Sequence, residues 1–409
     1  MPRELPPPRI LQLDADAYYV QVARLLDPTG AGSADLVLVG GSPHGRGVVT
    51  SASYGARAYG VRSGMSMAQA LERCPDAMIV GVPRGACGEK SKAIVAVLER
   101  FTPVVEPASI DEMYLDMTGT ETLYRDESLE ATARRIRTTV RDETGIVGTI
   151  GGGTTRLVAK LAAKRAKPHR TPEADGVIVV PPGDEQAFLT QFDLADIPGI
   201  GPRFQQRLRW VGLVTVPDAL QHDIATLGEW FGERTGKWLY RRIRGIDATP
   251  IEPHRRSKSL SRDETFAEDI SDDAALRREL LRLVDRAAAD LRKHQWTART
   301  ITVRIRDYDF RTRQKSRTLT EPVVADRIVA TVATDLLRRL RHARRVPARL
   351  IGVSLSQLNH EDSVDQLSLF PAPDEAQLES ARDRALSRAL DAVRNRFGQN
   401  AVGRAGEHD

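Results

Sequence analysis

The stretch Ser109-Ile110-Asp111-Glu112-Met113-Tyr114-Leu115-Asp116 contains two adjacent carboxylates inside an apolar, strand-like run. Successive side chains of a strand point to opposite faces, so Asp111 and Glu112 can meet the same object only if the chain turns or bulges there. Burying a carboxylate is costly unless it is paired or bound to a metal ion. The stretch therefore predicts either a locally exposed chain or a bound cation.

Length and composition indicate an ordinary globular chain of several domains. The 409 residues are 41% hydrophobic and 28% charged, and this length suggests about two to four domains. No apolar run approaches the roughly 18 to 20 residues of a membrane helix, and residues 1–9 lack the apolar core of a signal peptide. We therefore expect a cytoplasmic protein without a membrane partner. Cys74 and Cys87 are expected to be free thiols.

The positive charge is concentrated in one segment. Residues 251–350 contain 24 Lys and Arg against 15 Asp and Glu, whereas the whole chain has a net charge of only +5. This distribution is typical of a module that follows a phosphate backbone.

A second acidic run follows the first predicted strand, Ile10–Leu13. Asp14-Ala15-Asp16 stands where metal ligands often occur, but Asp-x-Asp alone is a weak signal. As an alternative, Asp16 caps the helix predicted for Tyr18–Leu26.

Groups suited to an anion occur in two further places. Ser51, Tyr54 and Arg57 stand among glycines, and arginine forms paired hydrogen bonds with phosphate oxygens. Taken singly, an arginine such as Arg57 is more often a solvated surface charge. Lys160, Lys164 and Lys167 follow the triple glycine 151–153, on a helix predicted for Leu157–Ala166.

Residues 193–218 predict a helix-hairpin-helix. Gly199 and Gly201 stand between two short apolar helices, and glycines let backbone N–H groups approach a DNA phosphate. The alternative is a tight packing turn.

The basic segment reads as a β-α-β-β-α-β module. In Thr300–Arg306, apolar residues alternate with Arg304 and Arg306, which predicts one apolar and one cationic face. The next ribbon adds cations without an acid, and we expect all of them to bind phosphate rather than to form an ordinary solvated face: Arg311, Arg313, Lys315 and Arg317.

A short apolar peptide lies in the acidic tail. Gln366, Leu367, Leu369 and Phe370 form a Gln-Leu-Ser-Leu-Phe sequence that suits insertion into a groove on a partner. Alone, it could also be a strand or a staple onto the body of the protein.

Taken together, these motifs resemble the Y-family translesion DNA polymerases, in their DNA polymerase IV branch. The resemblance covers about residues 10–358, and Ser109–Asp116 is its most specific motif. The other motifs that carry it are Asp14-Ala-Asp-Ala-Tyr-Tyr, Ser53-Tyr-Gly-Ala-Arg, Ala159-Lys-Leu-Ala-Ala-Lys-Arg-Ala-Lys-Pro and Ile197-Pro-Gly-Ile-Gly-Pro.

The resemblance implies an α+β multidomain fold shaped as a right hand, with an additional α/β domain. The expected parts are a palm (1–24 and 83–174), fingers (25–82), a thumb with the helix-hairpin-helix (175–247), a linker (248–256), a little finger (257–358) and a tail (359–409) that carries the clamp-binding peptide.

It also implies low-fidelity, lesion-bypass DNA synthesis by a monomer acting on primed template DNA and deoxynucleoside triphosphates. Asp14, Asp111, Glu112 and the Ala15 carbonyl would bind two Mg2+ ions, which would activate the primer 3′-hydroxyl and stabilise the departing pyrophosphate. Asp16 would then be structural. The residues expected at the nucleotide are Tyr18, Tyr19, Ser51, Tyr54, Arg57 and Lys167, with Tyr19 as a steric gate against ribonucleotides. The peptide at 366–370 would bind the sliding clamp.

Several positions depart from the family pattern. Gly55 stands where Glu is usual, Cys87 where Tyr is usual, and Gly151–Arg156 replaces a Gly-Ile-Ser-x-Asn-Lys run. These changes could alter the packing of the nucleotide pocket, but they remove no expected metal ligand. About forty residues also follow the clamp-like peptide.

Two other classes of protein remain as alternatives. A catalytically silent, clamp-tethered DNA-binding accessory protein on the same fold should have lost the three acids, which this chain keeps. A nucleotidyl cyclase on a similar palm would have no use for the hairpin, the basic module or the peptide.

Overall fold

The computed structural model describes residues 7–125, 127–254, 256–360, 379–398 and 401–402. The chain divides into two compact units, Met1–Arg255 and Arg256–Asp409, and the division falls inside the segment predicted as a linker. Within the described ranges, no helix has the length and apolar character that crossing a membrane requires.

The first unit combines strands and helices, and it ends in a run of helices. Its strands are β1 (Ile10–Ala15), β2 (Val37–Gly40), β3 (Val49–Ala52), β4 (Met78–Val80), β5 (Val105–Pro107), β6 (Glu112–Asp116), β7 (Gly148–Gly153) and β8 (Val177–Val179). Its α-helices are α1 (Tyr18–Leu26), α2 (Tyr54–Ala58), α3 (Met67–Arg73), α4 (Arg84–Leu98), α5 (Leu129–Thr144), α6 (Arg156–Arg165), α7 (Glu185–Leu189), α8 (Pro202–Trp210), α9 (Val216–Leu220), α10 (Ile224–Phe231) and α11 (Glu233–Arg242).

A five-stranded sheet in the order β5-β6-β1-β7-β8 forms the palm. The central strand β1 pairs antiparallel with both β6 and β7. Its Leu11 and Leu13 are buried in a core with residues of α4 and α5, such as Ile94 and Ile136. The alternate residues of β1, including Gln12 and Asp14, face the other side of the sheet.

The triple glycine lies in strand β7 and lets helix α6 approach the sheet very closely. A Cβ atom at Gly151 would lie 2.0 Å from the Ala163 nitrogen and 2.1 Å from the Ala159 oxygen. Any side chain at this position would therefore push α6 away from the sheet. Gly151, which keeps the first glycine of the family pattern, therefore sets the height of the α6 lysines above β1.

The fingers and the thumb are smaller layers of the first unit. The fingers contain a sheet in the order β3-β2-β4, and Ser53 and Ser66 cap helices α2 and α3 with their hydroxyl oxygens. In the thumb, a single 3-10 turn at Leu194–Asp196 leads through the Gly199 turn into α8, as the sequence predicts.

The second unit has the predicted β-α-β-β-α-β order. Its elements are β9 (Ser259–Ile270), α12 (Asp273–Lys293), β10 (Trp296–Asp307), β11 (Thr312–Val323), α13 (Asp326–Ala343), β12 (Ala348–His360) and a further helix, α14 (Ala381–Phe397). The sheet order is β11-β10-β12-β9. Ile301, Val303 and Ile305 of β10 are fully buried in a core with α12 and α13.

The predicted cations of this unit do not share one face. The register pairs Ile305 with Arg313, Val303 with Lys315 and Ile301 with Arg317, and paired residues point to the same face. Arg313, Lys315 and Arg317 therefore lie on the helix-covered side, whereas Arg304 and Arg306 lie on the open face. Lys315 and Arg317 are nevertheless exposed on this edge strand, so phosphate binding by these cations stays a prediction. Sequence spacing shows which residues of one strand share a face, but not how two strands align.

Arg313 is also engaged within the fold. Its guanidinium donates to both carboxylate oxygens of the fully buried Asp307, at 3.0 and 2.8 Å, and to the Leu340 carbonyl at 2.5 Å. It fastens the end of β10 to the C-terminus of α13, where a cation is favourable.

Helix α14 packs on α12 and α13 through polar contacts. The buried Glu379 carboxylate accepts hydrogen bonds from the N–H groups of Val324 and Ala325 at the start of α13. Arg292 bridges Asp326 and Asp391, with N···O distances of 2.9 and 2.5 Å. The carboxylates thus compensate both the exposed end of a helix and a buried guanidinium.

A buried ion pair in the palm binds the chain that follows the thumb. Glu106 and Arg156 pair with side-chain exposures of 4% and 16%, and the Arg156 guanidinium lies 4.1 Å from the Tyr114 ring centroid. Glu106 also accepts from the Glu252 N–H at 2.7 Å, and Arg156 donates to the Pro250 carbonyl at 3.0 Å. The first half of the predicted linker is therefore fixed to the palm.

We expect Glu106→Ala to lower the free energy of unfolding of the first unit by about 3 kcal/mol, because it leaves Arg156 buried without its partner. Urea denaturation followed by tryptophan fluorescence measures this change, since three of the four tryptophans lie in the first unit. The control is Glu143→Ala, which breaks an exposed pair with Arg100 and should cost less than about 1 kcal/mol. Equal losses in the two variants would contradict a special role of the buried pair.

Candidate active site

Antiparallel pairing of β1 with β6 brings the predicted carboxylates to one end of the palm sheet. Asp14 at the end of β1 is paired directly with Glu112 at the start of β6. The Asp111 carbonyl accepts from the Ala15 N–H at 2.9 Å, and the Ala108 and Ser109 N–H groups both donate to the Glu112 carbonyl. The chain therefore turns immediately before Glu112, as the adjacent carboxylates required.

Ser109 holds this turn in place. Its hydroxyl donates to the Asp111 carboxylate at 2.5 Å and accepts from the Glu112 N–H at 3.0 Å. This role of Ser109 was not predicted, although its position two residues before Asp111 is typical of such a local hydroxyl turn.

Lysines on and beyond α6 compensate the carboxylates. Lys160 Nζ lies 2.5 Å from the Glu112 carboxylate, and Lys167 Nζ lies 2.7 Å from Asp14 and 3.2 Å from Asp16. Lys164 instead pairs with Asp196, so only two of the three predicted lysines reach the site.

Asp16 does not cap helix α1, which corrects one of the two alternatives for this residue. The N-cap residue is Ala17, with φ of 44°, and it provides no side-chain hydrogen bond. The Asp16 carboxylate instead accepts from the Tyr54 hydroxyl at 2.9 Å and from Lys167. Asp16 thereby ties the fingers to the palm.

Burial controls the protonation of this cluster. Desolvation raises the pKa of Asp14, and the attraction of Lys167 only partly offsets it, with Glu112 and Asp16 adding repulsion. Desolvation would lower the pKa of Lys167, but the neighbouring Asp14 and Asp16 outweigh it, so the net pKa is raised. Burial and the nearby Asp16 raise the pKa of Tyr54 to about 12. Lys167 is therefore a persistent cation between two carboxylates.

The site has the right donor atoms for a divalent cation, but its side chains are not arranged around a metal position. Among the described residues, no group of three or more His, Cys, Asp or Glu side chains is arranged to hold a metal ion. The backbones of Asp14, Asp111 and Glu112 do converge, and their carboxylates are the hard oxygen donors that Mg2+ prefers. Rotation of these side chains away from Lys160, Lys167 and Ser109 would free the oxygens for a cation.

The fingers contribute the predicted anion-binding groups. Ser51 is buried on β3, whereas Arg57 is exposed on α2 with its guanidinium 5.0 Å from the Tyr54 ring centroid. His169 was not predicted, although its ring lies 5.0 Å from that of Tyr54 and it follows the Lys167-Pro168 pair. Tyr54, Arg57 and His169 thus form one aromatic and cationic cluster beside Lys167.

The two adjacent tyrosines of α1 have different environments. Tyr18 is fully buried and its hydroxyl donates to the Cys87 carbonyl at 2.6 Å, so it belongs to the core that underlies the site. Tyr19 packs edge-on against Tyr18, with ring centroids 5.8 Å apart, and remains partly accessible. Of this pair, Tyr19 is the one whose ring is accessible from outside the core.

The thumb hairpin has one packing glycine and one exposed glycine. Gly199 has φ of +100°, and a Cβ atom there would lie 2.7 Å from the Trp238 ring. Gly201 is exposed, and no atom lies within 4 Å of its Cβ position. Packing thus explains Gly199, whereas Gly201 leaves the first N–H groups of α8 accessible.

The open face of the second-unit sheet is rich in hydroxyls. Thr300 and Thr302 of β10 lie 2.9 Å from Thr318 and Ser316 of β11, measured between hydroxyl oxygens. Arg306 donates to the Thr312 hydroxyl at 3.0 Å, and Arg304 lies 3.8 Å from Asp263. Hydroxyl and guanidinium groups are the usual donors to phosphate oxygens. The predicted clamp peptide, Gln366–Phe370, lies outside the described residues.

Comparison with known proteins identifies the relatives of this fold. The impB/mucB/samB family matches residues 13–164, and the C-terminal domain of the same family matches residues 257–369. Residues 195–247 match the thumb domain described as DNA polymerase-iota. The three matched segments contain the palm carboxylates, the thumb hairpin and the basic sheet.

Similar proteins share most of the length of this chain. A DNA polymerase IV of Halorhodospira halophila is 36% identical over 350 residues, covering 86% of this chain and 95% of that protein. A DNA polymerase IV of Dehalococcoides mccartyi is 33% identical and covers 96% of both chains. Among solved structures, the Y-family DNA polymerase chimera Dbh-Dpo4(243-245)-Dbh is similar with a TM-score of 0.76 and 26% identity, covering 86% of this chain and 99% of that chain.

We expect Lys167→Met to destabilise the metal-free protein by roughly 2 kcal/mol, because Asp14 loses the cation that compensates its burial. Adding Mg2+ should restore the thermal unfolding temperature of this variant more than that of the wild type, since a cation can replace the ammonium. Differential scanning fluorimetry with and without Mg2+ measures both effects. Lys164→Met, which removes the pair with Asp196, is the control and should show no added response to Mg2+; the same response in both variants would contradict this interpretation.

Proposed function

The chain belongs to the DNA polymerase IV branch of the Y-family DNA polymerases, and we propose that Asp14, Asp111 and Glu112 are the carboxylates on which its catalysis depends. The enzyme is a DNA-directed DNA polymerase that performs translesion synthesis, and its family membership implies dependence on a divalent metal. The observation that carries the assignment of residues is the direct pairing of Asp14 with Glu112, beside the backbone of Asp111.

We propose Mg2+ as the divalent metal, bound at two positions by Asp14, Asp111, Glu112 and the Ala15 carbonyl. Bound there, the two ions would activate the primer 3′-hydroxyl and neutralise charge on the triphosphate. The donor set is all oxygen, which suits Mg2+ better than a softer metal. Ser109 positions Asp111, and Lys160 orients Glu112 through their ion pair.

We assign the triphosphate to the groups on the finger side of the carboxylates. Lys167 lies between Asp14 and Asp16, and Tyr54 shares Asp16 with it, so both can bind a phosphate oxygen with little movement. Arg57 is exposed and can form charge-assisted bonds. Ser51 is buried beneath them and is the least accessible of the four.

We propose that Tyr19 is the steric gate for the sugar. Its ring is held by the buried Tyr18, which itself cannot swing out because its hydroxyl is bound to Cys87. A fixed ring discriminates by shape, because a ribose 2′-hydroxyl would have to occupy space that the ring fills.

Residues outside the palm would bind the DNA and a protein partner. Gly201 with α8, and Arg304 and Arg306 on the hydroxyl-rich sheet, would bind the backbone of primed template DNA without reading its sequence. Gln366, Leu367, Leu369 and Phe370 would bind a sliding clamp. We further propose that the enzyme acts as a monomer in the cytoplasm.

A catalytically silent accessory protein is disfavoured. Three acids that converge at the end of the palm sheet would have no purpose in such a protein, because clustered carboxylates repel one another unless cations compensate them. The thumb hairpin and basic sheet likewise have no purpose in a nucleotidyl cyclase.

Primer extension with Mg2+ tests the carboxylates. We expect Asp111→Ala/Glu112→Ala to reduce extension by about a thousandfold or more on both undamaged and lesion-bearing templates, because metal binding contributes several kcal/mol to the transition state. The control is Asp116→Asn, at the far end of β6, which should extend normally while retaining its Thr118 contact. Equal extension by the double variant and the wild type would refute the assignment of the metal ligands.

A clamp-stimulation assay tests the peptide. We expect Leu369→Ala/Phe370→Ala to abolish stimulation by the sliding clamp while leaving basal extension unchanged, because short apolar peptides bind through such anchors. Leu386→Ala removes a similarly apolar side chain that is 58% exposed on α14, and it should retain full stimulation. Unchanged stimulation in the peptide variant would argue against this site.

A further inference from the structure

The hairpin that joins β10 to β11 presents two large aromatic rings to solvent. Tyr308 is 52% exposed and Phe310 is 63% exposed, although aromatic residues are only 5% of this chain. Rings of this size normally dominate buried cores and interfaces. Their exposure side by side on one turn indicates a binding surface. We call residues 308–311 the aromatic tip.

The aromatic tip is held rigidly by ion pairs beneath it. Asp307 is fully buried and pairs with Arg313 and Arg344, and Arg344 also pairs with Asp309 at 2.8 Å. Main-chain hydrogen bonds close the turn. The Asp307 N–H donates to the Arg311 carbonyl at 2.9 Å, and the Phe310 N–H donates to the Asp307 carbonyl at 3.0 Å. The rings are therefore displayed on a braced turn, and ligand binding would cost little ordering entropy.

Phe310 adopts an unusual backbone conformation. Its φ is +64°, in the left-handed region that a residue with a side chain other than Asn or Asp seldom occupies. Such strain persists only where the surrounding structure enforces it, and it is concentrated at functional positions. Here it directs the ring out of the turn.

The charge around the rings is positive. The Arg349 guanidinium lies 4.6 Å from the Phe310 ring centroid, and Arg306 and Arg311 flank the turn in sequence. The two nearby acids, Asp307 and Asp309, are both engaged by arginines. An apolar protein partner would gain nothing from these cations, whereas a polyanion with aromatic groups fits both features.

The aromatic tip lies at the end of the open face of the sheet. Arg304 and Arg306 and the Ser and Thr hydroxyls line the open face of the sheet, and the tip continues β10 directly beyond Arg306. A backbone that follows the open face would therefore pass the tip. In a duplex, however, the faces of the bases are covered by stacking, so an exposed ring can stack only on an unpaired base.

We propose that the aromatic tip is a binding site for an unpaired nucleobase of the DNA substrate, stacked on Phe310 with Tyr308 beside it, and that Arg349 supports the stack from the ring face. This site lies beyond the carboxylates and the backbone contacts proposed above. Loss of this site would leave the chemistry of nucleotide transfer intact and would lower the affinity for single-stranded DNA next to the primed duplex.

The test compares two overhangs of equal charge. A primer–template is prepared either with a single-stranded overhang of normal bases or with the same overhang made of abasic sites, which keeps every phosphate. Fluorescence anisotropy at fixed salt gives the affinity for each DNA. We expect the wild type to prefer the base-containing overhang by about tenfold, since one base stacked on an aromatic side chain contributes roughly this factor.

Substitutions at the ring separate stacking from general hydrophobicity. Phe310→Ala and Phe310→Leu should both lose the preference, because leucine keeps the apolar volume without the aromatic face, whereas Phe310→Trp should retain it. Extension within a fully paired template segment should change less than twofold in all three. Thermal unfolding of Phe310→Leu shows whether the unit remains folded.

The matched control is a ring with the same local chemistry elsewhere in the unit. Phe397 on α14 is 67% exposed, with the Arg396 guanidinium 5.3 Å from its centroid, but it lies on a helix rather than at the open sheet face. Phe397→Leu should keep the full preference. Retention of the preference by a folded Phe310→Leu, or its loss in Phe397→Leu to the same extent, would overturn the proposal, as would a wild type that binds both overhangs equally.

Discussion

The compensation of partly buried carboxylates by lysines on and just beyond one helix is the constraint on which the palm depends. Asp14 and Glu112 face each other across β1 and β6, and the cations Lys167 and Lys160 reach them only because α6 lies almost in contact with β7. Gly151 permits that approach, since no side chain fits between its Cα and the helix backbone. The absence of a side chain at Gly151 on β7 therefore supports the charge pairs formed by the carboxylates of β1 and β6.

Buried ion pairs hold the remaining connections of both units. Glu106 and Arg156 fix the chain beyond the thumb, Asp307 with two arginines braces the β10–β11 turn, and Glu379 closes the start of α13. Each carboxylate meets donors that would otherwise be unsatisfied, namely backbone N–H groups or guanidinium groups taken out of water. Removing one member exposes the desolvation cost of its partner, so these pairs constrain geometry more than they add net stability.

Much of the architecture could be read from local patterns. Alternation in Thr300–Arg306 identified the buried face of β10, and the order of elements in the second unit followed from the sequence of periodic segments. The cap of α1 could not be predicted, because Asp16 is drawn away by Tyr54 and Lys167, both distant in sequence. The pairing of Arg313 with Asp307 could not be predicted, because the register of β11 against β10 depends on the turn and on packing.

The sequence by itself determined the family, the order of the parts and the acids that converge at the end of the palm sheet, because these depend on residue types at short spacings and on motifs that recur in one order. Only the tertiary structure decided which charges meet: that Lys160 and Lys167 reach the acids while Lys164 does not, that Tyr18 is buried and Tyr19 accessible, and that Phe310 stands exposed beside Arg349. Charge pairing falls off over a few ångströms, and such distances are set by how helices and strands pack rather than by their spacing along the chain.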